Sequence, residues 1–129
     1  DAIIMSAAIA DYRPEAIAVH KIKKSEDLTL KLKRNPDILR ELGELRGESR
    51  RPVLIGFALE TRDVEASARS KLEKKRVDLI VGNEAADGFA GETNRVILVD
   101  HDSADALPLL SKADVADRIL DRLLSIFER

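Results

Sequence analysis

At 129 residues, with 44% hydrophobic and 36% charged side chains, the chain has the length of one domain and the composition of a folded globular protein, which excludes a disordered or low-complexity segment. It has no cysteine, which excludes disulfides and thiolate zinc sites, and its two histidines, His20 and His101, lie far apart without ligand-spaced partners, which argues against a histidine metal site. A net charge of -2 and a pI near 5.8 argue against a dedicated nucleic-acid binder. No apolar run has the length of a membrane span or the layout of a signal peptide, so a cytoplasmic protein without a membrane partner is expected.

The chain opens on Ala2 to Ala8, "AIIMSAA", an unbroken apolar and small-residue run that predicts a central parallel strand buried on both faces. A start inside a core strand predicts a domain whose N-terminal portion lies outside this chain. "DYRPE" then reads as a loop around Pro14. Residues Ala16 to Ile22 and Leu28 to Lys33 have extended character with "SED" as the turn between them, which predicts a protruding β-hairpin arm; Leu28, Leu30 and Leu32 share one face of it. Positive charge concentrates there, with Lys21, Lys23, Lys24, Lys31, Lys33 and Arg34 against Glu26 and Asp27.

"NPDILREL" predicts a helix with Asn35 as cap, Pro36 in its first turn and Ile38, Leu39, Leu42 and Leu45 as the buried stripe, ending at Gly47. "PVLIGFALE", Pro52 to Glu60, is a second buried strand. Thr61 is the expected cap of a helix with Val64, Ala68 and Leu72 inward and Lys71 and Lys75 on an adjacent line. "VDLIVGN" and "RVILVD" are further buried strands, joined by the Gly-rich loop "ADGFAGETN". Ser111 with Asp114 three residues on outlines a capping box for a last helix, whose stripe is Val115, Ile119, Leu120, Leu123, Leu124 and Phe127. The order of elements predicts one α/β domain over residues 1–129, three-layered and Rossmann-like, with a mainly parallel sheet.

In open α/β sheets ligands gather outside the carboxyl ends of the strands. That rule selects Ser6 to Asp11, Phe57 to Thr61 and the chain from Asn83 onward. The small run before Asp11 lets a ligand approach the backbone and Asp11 can accept a hydrogen bond or make an indirect metal contact, but it reads equally as helix packing and a turn. The helix start at Pro36-Asp37 offers backbone N–H groups; as a plain cap it needs no ligand. Lys71 and Lys75 can reach a polyphosphate, or simply be solvated. No Walker, dinucleotide or nucleophile-elbow motif is present. The basic stretch also lacks an aromatic residue for base stacking, against a nucleic-acid arm.

Taken together, "SAAIADYRP", "KIKK" beginning ten residues after Asp11, "NPDIL", "IGFALET", "SKLEKK", "VDLIVGNE" and "LPLLSKADVADRIL" resemble, in order and spacing, phosphopantothenate-cysteine ligase. In bacteria this is commonly the C-terminal half of a bifunctional coenzyme A biosynthesis protein with a flavin-dependent decarboxylase half, to which FMN belongs. The resemblance implies a ligase that joins 4'-phosphopantothenate to L-cysteine using CTP and Mg2+ through an acyl-cytidylate, working as a homodimer. Carried over by position, the nucleotide meets Met5, Ser6, Ala7, Asp11, Lys21, the turn Pro36, Asp37, Ile38 and Leu39, then Phe57, Lys71 and Lys75, with Lys21 the first choice for catalysis on a flap-like arm. No metal ligand is assigned. Leu59 and Gly82 stand where the family pattern carries alanine. The family's upstream glycine-rich segment, needed for the second half-reaction, is not within this chain, so a non-catalytic nucleotide-binding or dimerisation fragment is the alternative. Relatives outside bacteria use ATP, which leaves base preference open.

Overall fold

The computed structural model describes residues 1–24, 27–84 and 91–129. Its elements in chain order are β1 (Ala2–Met5), β2 (Tyr12–Pro14), β3 (Leu32–Arg34), α1 (Ile38–Arg46), β4 (Val53–Glu60), α2 (Val64–Lys75), β5 (Leu79–Glu84), β6 (Thr93–Asn94), β7 (Val96–Val99), β8 (Ala104–Ala106), β9 (Leu110–Ser111) and α3 (Lys112–Phe127). They form two compact units, one of Asp1–Ser6 with Ile38–Arg129 and one of Ala7–Asp37. The turn predicted at Ser25 and Glu26 and residues 85–90 of the Gly-rich loop lie outside the described residues.

The larger unit is an α/β three-layer, Rossmann-like sandwich, as the order of elements predicts. Its five strands run β1-β4-β5-β7-β8; β1, β4 and β5 are parallel, and β7 and β8 add to them antiparallel. Strand alternation sorts the core into two layers. Val53, Ile55, Leu79, Val81, Val96 and Leu98 meet Val115, Ile119 and Leu123 of α3. Leu54, Ala58, Ile80 and Val99 meet Leu39, Ala68 and Leu72 of α1 and α2. β4 is therefore apolar at nearly every position because both of its faces are covered.

Several expectations change. β1 ends at Met5 rather than Ala8, with Ile4 exposed; among the described residues it stands at one end of the sheet. Leu45 is exposed because it falls off the side of α1 that meets the sheet, and Leu120 and Leu124 are exposed on α3, outside the line of Val115, Ile119 and Leu123. Thr61 does not cap α2: Asp63 is the N-cap, in the left-handed region at φ 48°, without a side-chain cap bond. Ser111 caps α3 as predicted, its Oγ accepting from the Asp114 N–H at 3.0 Å, while the return contact is hydroxyl to carboxylate, Oγ donating to Asp114 at 2.6 Å. Phe127 ends α3 under the Arg51 guanidinium, 4.0 Å from the ring centre. At Gly82, where alanine is the family expectation, Val64 and Ile97 fill the space of the missing Cβ.

α1 and α2 approach closely because Gly43 has no side chain; a Cβ there would overlap the Lys75 carbonyl. The same end is tied by Arg46, which donates to the Arg76 carbonyl at 2.7 Å and pairs with Asp78, whose carboxylate also accepts from the Leu54 N–H at 2.7 Å. Because backbone cannot yield as a side-chain tip can, Gly43→Ala is expected to cost about 1–3 kcal/mol. Urea unfolding would read this as a lower midpoint at unchanged slope, and an unchanged midpoint would show that the helices can part freely.

The smaller unit differs most from expectation. Tyr12–Pro14, predicted as a loop, is a strand, antiparallel to Leu32–Arg34 with Arg13 opposite Lys33. The ladder bonds fall at odd-numbered residues, Glu15 N–H to Lys31 carbonyl at 2.9 Å and Asn35 N–H to Asp11 carbonyl at 2.8 Å. Pro14 thus occupies a position whose N–H would point away from the partner, and the missing donor costs no bond. Ala16 to Ile22 carries no strand, only Leu32–Arg34 of the second segment pairs, and Leu28, Leu30 and Leu32 are exposed rather than packed. The Asn35 side chain, expected as a cap, is used within the ribbon: its Nδ2 donates to the Ala10 carbonyl and its Oδ1 accepts from Arg13, both at 2.6 Å. α1 begins at Ile38, after Pro36 rather than on it.

Asp100, at the end of β7, is a buried carboxylate that no sequence motif marks. Its Oδ1 accepts from the N–H groups of Asp102 at 2.9 Å and Ser103 at 2.7 Å, and Oδ2 accepts from Arg122 of α3 at 2.9 Å. Burial pushes the carboxyl up, but the Arg122 guanidinium and the backbone donors outweigh it and hold it below its ordinary value of 3.8.

Candidate functional site

Within the larger unit, the carboxyl ends of β1, β4 and β5 gather several of the residues selected from the sequence. Parallel pairing sets Met5 beside Gly56, and Gly56 and Phe57 beside Ile80 and Val81. The first turn of α1 sits over the same level, because the Leu39 side chain fills the space that a Cβ at Gly56 would occupy. Leu39 is buried, and Met5 is half-buried against the same core cluster. Ser6, Ile38 and Phe57 are exposed. Phe57 belongs to the β4 residues that alternate toward the α3 side, beyond the buried part of that face.

α2 starts at the carboxyl end of the sheet and runs back beneath it. Lys71 lies two turns down that helix, but helical side chains lean toward the N-terminus, and its Nζ reaches the Glu60 carboxylate at 2.6 Å. This returns an ammonium group to the strand ends. Lys75 is one turn, about 5–6 Å, further away, at the end of α2 that meets Gly43. The structure therefore brings Lys71, but not Lys75, to the end of β4. Glu60 falls within the Phe57 to Thr61 stretch that the strand-end rule selects, but the motif residues give it no role of its own; its signal is only a polar residue closing an apolar strand.

Within the smaller unit the ribbon base brings Asp11 and the Asn35-Pro36-Asp37 turn together through the Asn35 bonds to Asp11 and Ala10. Ala7 and Asp11 are exposed there. Lys21 is exposed in the irregular segment before residue 25 and belongs to neither strand of the ribbon.

At the opposite, amino-terminal end of the parallel strands, a cavity of about 400 Å³ is lined by Arg50, Val53, Asp78, Asp100, His101 and Arg129 among others. Its acids are already engaged: Asp78 by Arg46, Asp100 by Arg122, and Asp102 by Arg129. These pairs anchor the ends of the sheet and leave the carboxyl ends as the better candidate. Among the described residues no three acidic or histidine side chains cluster as a metal site, and no helix is long and apolar enough to cross a membrane.

Comparison with known proteins agrees with this architecture. The chain is 43% identical over 131 aligned positions to the coenzyme A biosynthesis bifunctional protein CoaBC of Bacillus subtilis, covering 98% of this chain and 32% of that protein. It is 43% identical over 129 positions to the CoaBC of Vibrio parahaemolyticus, covering 95% of this chain and 32% of the other. The chain thus spans about a third of the length of these relatives. A crystal structure of a CoaBC C-terminal domain superposes with a TM-score of 0.76 at 36% identity, over 99% of this chain and 55% of that one. The model of the DNA/pantothenate metabolism flavoprotein C-terminal domain matches residues 1–127, and the chain belongs to that family.

Proposed function

We propose that this chain is the nucleotide-binding portion of a phosphopantothenate-cysteine ligase of coenzyme A biosynthesis, and that it uses CTP. The observation that carries the reading is the end-to-end match to the CoaBC C-terminal region, with the motif residues Met5, Ser6, Phe57 and Lys71 gathered at the strand ends. The carboxylate of 4'-phosphopantothenate attacks the α-phosphate of CTP, a P–O bond forms, and pyrophosphate leaves. The cysteine amine then attacks the acyl carbon, loses a proton, and CMP departs with the C–O bond electrons.

The first step builds negative charge on the α-phosphate and on departing pyrophosphate, so cationic groups held in place lower its barrier. Lys21 and Lys71 fill that role, with Lys75 as a more distant cation. The backbone from Met5 to Ala7 lets the nucleotide approach closely, Asp11 and the Pro36–Leu39 turn offer acceptors and donors to the base, and Phe57 offers an apolar surface. Magnesium held chiefly by the triphosphate needs only one or two protein oxygens, so the lack of a three-carboxylate cluster among the described residues is compatible with it; Asp11 suits a water-mediated contact. When bound, it would offset phosphate charge.

Calorimetric titration tests this reading. CTP with magnesium is expected to bind with a dissociation constant of about 1–100 μM, or about 5–8 kcal/mol. ATP is expected to bind more weakly and a short DNA not at all. No CTP binding would sink the assignment. A second reading, a dimerisation fragment, is favoured by the exposed Ile17, Val19, Leu28 and Leu30 of the smaller unit; sedimentation would show the dimer, with or without CTP.

A further inference from the structure

The pairing at the end of β4 reaches beyond the residues assigned so far. Most of α2 needs no help from Lys71 to stay in place, since Ala68 and Leu72 are buried and the chain beyond it is held by the Val77 N–H to Leu72 carbonyl bond at 3.1 Å. Nor does Lys71 have an acidic neighbour on its own helix. Ser67 and Ala68 lie one turn before it, and Lys74 and Lys75 one turn after. Arg69, by contrast, has Glu65 four residues back, at 3.7 Å. Left to its helix, the Lys71 ammonium would have two like charges on one side and no anchor on the other.

Glu60 changes that. It sits on the strand, three residues before the left-handed turn that starts α2, and its carboxylate holds Lys71 Nζ at 2.6 Å with side-chain exposures of 21% and 38%. As a stabilising pair this is worth little at such exposure. As an orienting contact it does more, because a lysine stem has four rotatable carbons and otherwise samples many positions. An ammonium has three donors, so one can stay on Glu60 while the others turn to an incoming phosphate.

We infer that Glu60 is a positioning residue: it holds Lys71 Nζ at the carboxyl end of β4 for the phosphates of the bound nucleotide. The inference rests on the proposed phosphate role of Lys71. Titration of the wild-type chain and of Glu60→Ala, Glu60→Gln, Lys71→Ala and the double variant with magnesium-CTP and with CMP tests it. Glu60→Ala is expected to weaken CTP about tenfold, the scale of losing a partner that orients a binding group, and CMP less than about twofold. Glu60→Gln, which keeps an acceptor oxygen, recovers part of the loss, and the double variant is no weaker than Lys71→Ala alone. Equal weakening of CTP and CMP marks a structural role and overturns the inference, as does tighter CTP binding by Glu60→Ala, which marks a competitor for the ammonium. If Lys71→Ala itself leaves CTP affinity unchanged, the phosphate role of Lys71 fails and the inference falls with it. If Lys71→Ala weakens CTP and Glu60→Ala does not, only the positioning role fails.

Discussion

Replacing Lys21 with glutamine is expected to slow acyl-cytidylate formation by about two to three orders of magnitude while shifting the stability of the fold by less than about 0.5 kcal/mol. The two effects separate because of where the residue lies. Lys21 is exposed in an irregular segment of the smaller unit, so no core packing depends on it. Its proposed task arises only when charge gathers on the α-phosphate and pyrophosphate, and glutamine keeps a polar side chain, one atom shorter, but removes the positive charge. Pyrophosphate release that depends on 4'-phosphopantothenate is the measurement, made in this chain and in a form extended upstream through the remainder of the CoaBC C-terminal region. Thermal unfolding of wild type and variant serves as the control. Equal rates for wild type and variant would contradict the role of Lys21. Release in the extended form alone would show that the upstream portion completes the site.

Removing Arg122 is expected to produce the largest loss of stability. Asp100 is 1% exposed, and its Oδ2 is held by Arg122 at 2.9 Å. Arg122 also donates to Ser103 at 2.7 Å and pairs with Asp105, so one guanidinium joins α3 to both strands of the β7–β8 hairpin. Arg122→Ala leaves a buried carboxylate short of its main partner, at a cost of about 3 kcal/mol, which for a chain of this length corresponds to a fall in Tm of about 10 °C. The pH dependence carries the sign. The folded state holds the Asp100 carboxyl below its ordinary 3.8, so its contribution is fully present above that value and is lost as pH falls toward the lowered native one. Without Arg122 the largest of the lowering contacts is lost, the native carboxyl shifts upward, and acid unfolding is expected to begin at a higher pH than in the wild type. Unfolding followed by circular dichroism from pH 7 to pH 2 checks both points; coincident acid transitions would show that the backbone donors and Arg129, 3.5 Å from the same carboxylate oxygen, suffice.

The sequence was most informative where local pattern and global fold agree. β4, β5 and β7 are short, nearly continuous apolar runs, and both faces of the sheet are covered. Ser111 caps α3 and bonds Asp114 within four residues, so neighbours in sequence were enough to read the helix start. Gly47, with φ 59°, ends α1 as expected of a glycine in the left-handed region. Of the motif residues, Met5 and Phe57 lie toward the carboxyl ends of the parallel strands, and Lys71 reaches Glu60 at the end of β4.

What remained illegible depends on contacts between residues far apart in the chain. Pro14 looks like a loop former until the register shows that its absent N–H faces away from β3. Asn35 looks like a helix cap, but Ala10 and Arg13, more than twenty residues earlier, claim both ends of its amide. Asp100 reads as the end of a strand, and only the packing of α3 places Arg122, twenty-two residues on, against its carboxylate. Lys71 counts as a solvated helix lysine until the crossover from β4 brings Glu60 within 2.6 Å. Periodicity and capping arise from backbone geometry repeated every two or every three to four residues, so they are written locally and specify the α/β class. The partners of polar side chains follow from which elements pack together, and that choice belongs to the whole buried core.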